Sequence, residues 1–132
     1  IFNASIKDNV LFGEDKKNFR EHDYNNALLN SNIYDLETKF GNNNVGDNGS
    51  KLSSGQIQRI GLARALYKKN TNFIIFDEIT ANLDKKNEED IIRNIVKLKN
   101  ALTILFISHN MNLSKNFDNV LEISNKSINN IK

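Results

Sequence analysis

The sequence predicts an α/β fold in which a mostly helical lobe is followed by a small parallel sheet. In the first half of the chain, apolar residues recur at near-helical spacing, which indicates amphipathic helices. From residue 73 onward the pattern changes to two short, continuous apolar runs separated by one amphipathic segment, as in a strand–helix–strand unit. At 132 residues the chain is long enough for one ordinary domain and too short for two.

Three features define the predicted helical lobe. Ser5-Ile6-Lys7-Asp8 has the form of a capping box and predicts a short helix that ends near Gly13. From about residue 18 to residue 39 the pattern predicts one or two amphipathic helices, with these apolar positions: Phe19, Tyr24, Leu28, Ile33, Leu36 and Phe40. Residues 41–50 include three Gly and four Asn, which predicts a loop with nothing to pack.

The predicted elements of the second half begin with a helix from Ser53 to about Lys69. Its inward positions are Ile57, Ile60, Ala63 and either Leu66 or Tyr67. Residues 73–76 are continuously apolar, which predicts a strand buried on both faces of a parallel sheet. An amphipathic helix at 85–100, a second buried strand at 101–108, a short helix near 110–116 and two edge strands at 119–124 and 127–132 follow.

Composition excludes several classes of function. The net charge of +2 predicts neither a nucleic-acid footprint nor a membrane-binding face. Because the chain has no Cys, it can form neither disulfides nor thiolate metal sites. No apolar run approaches the roughly 20 residues of a transmembrane helix. The first residue is Ile rather than Met, and we expect the chain to begin inside a larger protein.

The sequence Ser53-Ser54-Gly55-Gln56 opens the predicted helix and has two compatible interpretations. Ser53 can accept a hydrogen bond from a first-turn amide while Gln56 reaches back, which is a capping box. The small residues at 53–55 also leave the helix end sterically open, and open amides at the positive end of a helix dipole can bind an anion. Context has to separate the two.

Polar residues follow both buried strands and provide that context. Asp77 and Glu78 end the first strand, where open α/β sheets bind ligands, and their side chains are expected to point in opposite directions. Asp77 can hold a metal's water shell and Glu78 can orient or deprotonate an attacking water. His109 ends the second strand, beside Asp77 if the strands are neighbours, where it can donate to a phosphate oxygen. A solvated strand end and a surface histidine are the alternative interpretations.

The ordered set of motifs resembles the nucleotide-binding domain of an ABC transporter. Leu52-Ser53-Ser54-Gly55-Gln56 resembles the signature motif, and Phe73 to Glu78 resembles a Walker B strand. Ala81-Asn82-Leu83-Asp84 resembles a D-loop, and His109 resembles the switch histidine. The similarity covers essentially the whole chain. Residues 1–13 and 45–49 are similar to exporter segments, the latter to the X-loop, which favours export over uptake.

This resemblance implies a fold, a function and roles for the site residues. It implies a partial P-loop NTPase sheet of the RecA-like type, at 71–132, with an ABC helical subdomain at 1–70. It implies ATP and Mg²⁺ as cofactors, with Glu78 and His109 catalytic, Asp77 on the metal, and residues 52–56 and Asp84 at the nucleotide. The implied partners are a second nucleotide-binding domain and the transmembrane domains of an exporter, at the cytoplasmic side of the cell membrane; no nucleic acid is expected.

Two departures and one absence qualify the resemblance. Ser54 replaces the usual first signature glycine, and Ala81-Asn82 replaces the common Ser-Ala of the D-loop, but neither change removes a charge. No G-x-x-x-x-G-K-[ST] motif occurs within the 132 residues, so the phosphate-binding loop of the Walker A half is missing from them. We therefore expect an ATPase in the full-length protein, an inactive isolated chain, and apolar surface exposed on its strands.

Two other functions stay open on the sequence alone. A soluble ABC-type ATPase of DNA repair or chromosome organisation shares the signature and Walker B motifs, although no sustained heptads of a coiled coil occur here. A non-enzymatic remnant or interaction module would also explain the missing phosphate loop. Sequence upstream of Ile1 would discriminate among the three.

Overall fold

A computed structural model of the chain describes residues 1–68, 71–124 and 127–132 and confirms the α/β fold. The helices of the first half are α1 (Ile6–Val10), α2 (Glu21–Asn30), α3 (Tyr34–Phe40) and α4 (Ser54–Tyr67). The second half comprises β1 (Phe73–Asp77), α5 (Lys85–Val96), β2 (Thr103–Ile107), β3 (Leu121–Ser124) and β4 (Ser127–Asn130). Short 3-10 helices lie at Lys16–Asn18, Asp47–Gly49 and Met111–Asn116, the last where a short helix was predicted.

The caps of the first helices follow from local sequence. The Ser5 side chain accepts a hydrogen bond from the Asp8 amide at 3.0 Å and begins α1, as predicted. The helix ends at Val10, short of the predicted Gly13, which lies in the turn that follows with φ of 83°. The predicted helical stretch from 18 to 39 is two helices, because Asn32, with φ of 57°, interrupts the helical backbone between them.

The helical lobe has its own core, and one part of the loop prediction was wrong. Leu28, Ile33 and Ile60 are buried there with residues of α1 and α4. Val45 is completely buried in the same core, although the loop at 41–50 was predicted to pack nothing. The Val45 amide donates to the Ala4 carbonyl at 3.0 Å, so a long-range backbone bond fixes this single apolar residue inside.

Helix α4 lies between two cores. Ile60, Ala63 and Tyr67 are buried in the core of the helical lobe, as predicted for these positions. Leu62, which the periodicity did not single out, is buried in a second core with the strands and α5. The helix ends at Tyr67, and the predicted end at Lys69 lies outside the described residues.

The sheet pairs β1 and β2 in parallel, with Phe73 opposite Thr103 and Asp77 opposite Ile107. The prediction that both faces of these strands are buried was wrong for this chain. Ile74 and Phe76 are buried, whereas Phe73 and Ile75 are 52% and 55% exposed. Helices α4 and α5 contribute residues to the core on one face only, so the expected exposed apolar surface is present on the other.

The last two strands form a separate antiparallel hairpin, with Leu121 opposite Asn130 and Ser124 opposite Ser127. They were predicted as edge strands, and in the described part of the chain they pair with each other and not with the β1–β2 sheet. Among the described residues, no helix has the length and apolar character needed to cross a membrane.

Candidate functional site

The carboxyl ends of β1 and β2 bring the predicted polar residues to one edge of the sheet. Parallel pairing continues to Asp77 and Ile107, so Glu78 and His109 follow from adjacent strands. Asp77 is exposed and makes no hydrogen bond or ion pair with any other described residue. The predicted neighbour of His109 was Asp77, but the contact is made by Glu78.

Glu78 has an unusual backbone that directs its side chain. Its φ is 51°, in the left-handed region that glutamate rarely adopts. The Glu78 amide donates to the Ile107 carbonyl at 3.1 Å, and its own carbonyl accepts from the Ala81 amide at 3.1 Å. These bonds fix a sharp turn at the end of β1, so the carboxylate turns toward β2.

The Glu78 carboxylate joins the two strand ends. Its Oε1 accepts the backbone N–H of His109 at 2.9 Å and lies 3.8 Å from Nε2 of the imidazole. The imidazole is 99% exposed, so it is free to turn toward a ligand in the solvent. A carboxylate and an imidazole this close together can act as proton acceptor and proton donor toward the same bound ligand.

These two residues border an open cleft of about 420 Å³ at the sheet edge, lined by Glu78, Thr80, Ala81, Leu83, Glu88, Ser108, His109 and Asn110. Glu88 and Asn110 are among the lining residues that were not identified from the sequence. Asn110 donates through Nδ2 to Oε2 of Glu88 at 3.1 Å, which ties the segment after His109 to α5. The only signal for them was position, since Asn110 directly follows His109 and Glu88 lies in the first turn of α5.

The start of α4 is the predicted capping box. The Gln56 amide donates to Oγ of Ser53 at 3.2 Å, and the Ser53 amide donates to Oε1 of Gln56 at 2.9 Å. Ser53 and Ser54 are exposed, whereas Leu52 packs against the helical core. The cap interpretation is therefore confirmed, and the exposed serines leave the helix end accessible to an anion.

Gly55 permits a close approach between this helix end and the segment at 81–84. A Cβ added at Gly55 would lie 3.0 Å from Cδ2 of Leu83 and 3.2 Å from the carbonyl oxygen of Asn82. A side chain at this position would require the Leu83 side chain and the Asn82 carbonyl to shift by a few tenths of an ångström, so glycine favours this close packing. Leu83 also lines the cleft beside Glu78, so it connects the two predicted parts of the site.

Asp84 is the N-cap of α5. Its side chain accepts from the Asn87 amide at 3.1 Å and from the Asn87 side-chain amide. These hydrogen bonds to Asn87, the side-chain bond foremost, hold the pKa of the Asp84 carboxyl below its ordinary value. Asp84 is therefore a structural cap in this chain, whatever else it contacts.

The described residues contain no cluster of three or more His, Cys, Asp or Glu side chains that could hold a metal by themselves. Asp77 offers a single exposed carboxylate. A single carboxylate does not form a complete Mg²⁺ site. It suits the binding mode of nucleotide enzymes, in which one or two carboxylates hold the ion and phosphate oxygens and water complete its coordination.

Comparison with known proteins gives consistent results. A family model described as "ABC transporter" matches residues 3–81, which is more than half of the chain. An "ATP-dependent lipid A-core flippase" of Francisella tularensis subsp. holarctica (strain OSU18) is 35% identical over 124 residues, 92% of this chain and 20% of the relative. The "Leukotoxin translocation ATP-binding protein LktB" of Mannheimia glucosida is 34% identical over 122 residues, 92% of this chain and 17% of the relative.

A solved structure has the same fold. The structure of "a bacterial Atm1-family ABC exporter with ATP bound" matches with a TM-score of 0.81 and 29% identity, over 92% of this chain and 21% of that chain. The chain thus spans about a fifth of the length of the relatives that it matches.

Proposed function

Since this chain belongs to the ABC transporter family, we propose that it forms part of the ATP-hydrolysing domain of an exporter. In this proposal ATP binding and hydrolysis by the full-length protein power transport across a membrane. Two relatives, the lipid A-core flippase and the leukotoxin translocation protein, support export as the direction. The proposed division is a helical subdomain at 1–70 and the C-terminal part of the ATP-binding core at 71–132.

The observation that carries the proposal is the turn at Glu78. A left-handed backbone at a glutamate costs about 1–2 kcal/mol, and strain of this kind is concentrated at functional sites. Here it brings the carboxylate to the His109 amide at the mouth of the cleft. In the proposed mechanism Glu78 is the general base that accepts a proton from the attacking water, and the exposed His109 imidazole donates to a phosphate oxygen.

The start of α4 is the proposed site of contact with nucleotide held by a second domain. Ser53 is already engaged through Oγ as an acceptor from the Gln56 amide, and its own hydroxyl hydrogen is available to a phosphate. The Gly55 amide lies in the first turn of α4, where helix amides have no partner within the helix. Leu52 anchors the preceding turn, and Ser54 and Gln56 complete the polar rim.

Asp77 and Asp84 are assigned two further contacts. Asp77 fits a Mg²⁺ bound to the nucleotide, because its exposed carboxylate has no competing partner among the described residues. When bound, the ion would neutralise charge that develops on the phosphates. Asp84, together with the D-loop-like segment that precedes it, faces the second domain in this proposal.

The proposed partners are a second nucleotide-binding domain and the transmembrane domains of the same transporter, at the cytoplasmic side of the cell membrane. The net charge of +2 gives no reason to add nucleic acid. The 132 residues contain no phosphate-binding loop, whose amides and lysine supply most of the ATP contacts in such folds. We therefore propose that activity requires the full-length protein and that the isolated chain is inactive.

Glu78→Gln in the full-length protein tests the proposal. Steady-state hydrolysis should fall about 10²-fold or more, the scale of lost general-base catalysis, while ATP binding is retained. Glu89→Gln is the matched control, because Glu89 is an exposed carboxylate on α5 that does not line the cleft. Equal turnover in the two variants would show that Glu78 is not the base.

A further inference from the structure

Four polar side chains connect three helices on the side of the molecule where the start of α4 meets α5. They are Asn32, Arg59, Asp84 and Asn87, and we refer to them as the polar bracket. Asn32 lies in the turn between α2 and α3, and Arg59 lies on α4. Asp84 caps α5, and Asn87 is in the first turn of α5. None of the functional assignments above uses Arg59, Asn87 or Asn32.

Arg59 is the centre of the polar bracket. Its Nε donates to the Gly55 carbonyl at 3.2 Å, which holds the first turn of α4. Its Nη1 donates to the Asn32 carbonyl at 3.0 Å and to Oδ1 of Asn87 at 3.2 Å. Burial lowers the pKa of the guanidinium, which is partly removed from water, and the nearby charge of Asp84 offsets part of this shift.

Asn87 uses both ends of its amide. Its Oδ1 accepts from Arg59 and, at 2.7 Å, from Nδ2 of Asn32. Its backbone N–H and its Nδ2 both donate to the Asp84 carboxylate. The Asn87 side chain therefore links α4, through Arg59, with Asp84, the last residue of the segment at 81–84 and the N-cap of α5.

Apolar contact alone does not fix this geometry. The approach of Gly55 to Leu83 and Asn82 brings the two segments together, but apolar packing is not directional and allows rotation about the contact. The fork of an arginine fixes direction as well as distance, because its donors lie in one plane. The bracket supplies the directional constraint that the glycine contact lacks.

We propose that Arg59 and Asn87 are positioning residues that lock the start of α4, residues 52–56, to the segment at 81–84. The two segments then approach a second nucleotide-binding domain as one rigid surface, and neither Arg59 nor Asn87 contacts nucleotide. This role rests on the proposed function, since it is the two-domain contact that gives the locked orientation its use.

Hydrogen–deuterium exchange in the full-length protein tests the lock without ATP. Asn87→Ala, on α5, should speed amide exchange in the peptide that contains Gln56 and Ile57, on α4, whose amides donate to Oγ and to the carbonyl of Ser53. The expected change is about tenfold, as for one lost hydrogen bond to a charged group. Asn94→Ala is the matched control, because Asn94 also joins α5 to α2, through a bond of 3.3 Å to the Asn30 carbonyl, yet lies outside the bracket.

The reciprocal experiment starts from α4. Arg59→Lys keeps the charge but loses the planar fork, so exchange at 84–88 should also rise by about tenfold. Arg64→Lys is its control, since Arg64 is a partly buried arginine of the same helix whose Nε donates to the Asn9 carbonyl at 2.7 Å. The proposed lock would be refuted if the amide exchange rate on the opposite helix changed less than twofold in either bracket variant. An equal change of that rate in the control variants would also refute it.

ATP-dependent measurements then test the positioning role. Asn87→Ala should raise the KM for ATP, or weaken ATP-driven dimer formation, by about tenfold, with kcat at saturating ATP changed less than threefold. If KM and dimer formation were both unchanged while exchange was transmitted as expected, the positioning role would be overturned. Wild-type protein that binds no ATP would instead refute the proposed function, and the exchange experiment would still decide whether the two segments are locked.

Discussion

The left-handed turn at Glu78 leads to a prediction about stability that is independent of ATP. Glu78→Gly and Glu78→Ala both remove the carboxylate and its bond to the His109 amide, so these losses cancel in a comparison of the two variants. What differs is the backbone, because only glycine adopts φ near 51° without steric cost. Glycine should therefore give the more stable protein at this position.

The size of the difference follows from two opposing terms. A non-glycine residue in the left-handed region costs about 1–2 kcal/mol. Glycine lowers the free energy of unfolding by about 0.4–1 kcal/mol relative to alanine, because it increases the conformational freedom of the unfolded chain. The Gly variant should thus exceed the Ala variant by about 0.5–1 kcal/mol in free energy of unfolding.

Urea unfolding at several protein concentrations measures this difference and separates it from self-association. With a slope near 2 kcal/mol per molar urea, the midpoints should differ by roughly 0.3–0.5 M. The same pair at Glu89, an exposed position inside α5, should show the opposite order, with Ala more stable than Gly by about 1 kcal/mol. If Ala is the more stable residue at both positions, the backbone at 78 is not left-handed and the reasoning about the turn is wrong.

Two further predictions concern the start of α4 and the isolated chain. Ser53→Ala should cost about 1 kcal/mol of stability from the lost cap, and ATP-driven dimerisation in the full-length protein should weaken more than folding does. Melting temperature measures the first effect and dimer formation the second. A change in melting temperature alone would show that Ser53 is only a cap. Calorimetric titration of residues 1–132 with Mg-ATP should detect no micromolar binding, because the chain has no phosphate-binding loop, and micromolar affinity would contradict that expectation.

Local sequence determined most of the elements and three of their side-chain caps. Ser5, Ser53 and Asp84 accept from amides three residues ahead, so their caps depend only on residues within one helical turn. The strand at 73–76 could be predicted for the same reason, because its continuous apolar run can be recognised without knowing which strand lies beside it. The ordered motifs then indicated the family, which the match over residues 3–81 confirms.

Features that depend on residues distant in the chain could not be predicted from local sequence. Val45 is buried because its amide meets the Ala4 carbonyl, and no pattern within residues 41–50 contains that partner. The residue in contact with His109 is Glu78 and not Asp77, because the left-handed backbone at the end of β1 redirects the Glu78 side chain.

The polar bracket also depends on residues that are distant from one another in the sequence. Arg59 and Asn87 meet across two helices, 28 positions apart in the chain, and each looks in sequence like an ordinary polar residue on a helix. Periodicity and capping report interactions within a few residues, whereas side-chain pairs between elements form only when packing sets the helices at a definite distance and angle. The sequence therefore indicated which segments form the candidate site, whereas the packing of α4 against α5 and the sheet sets how those segments face one another.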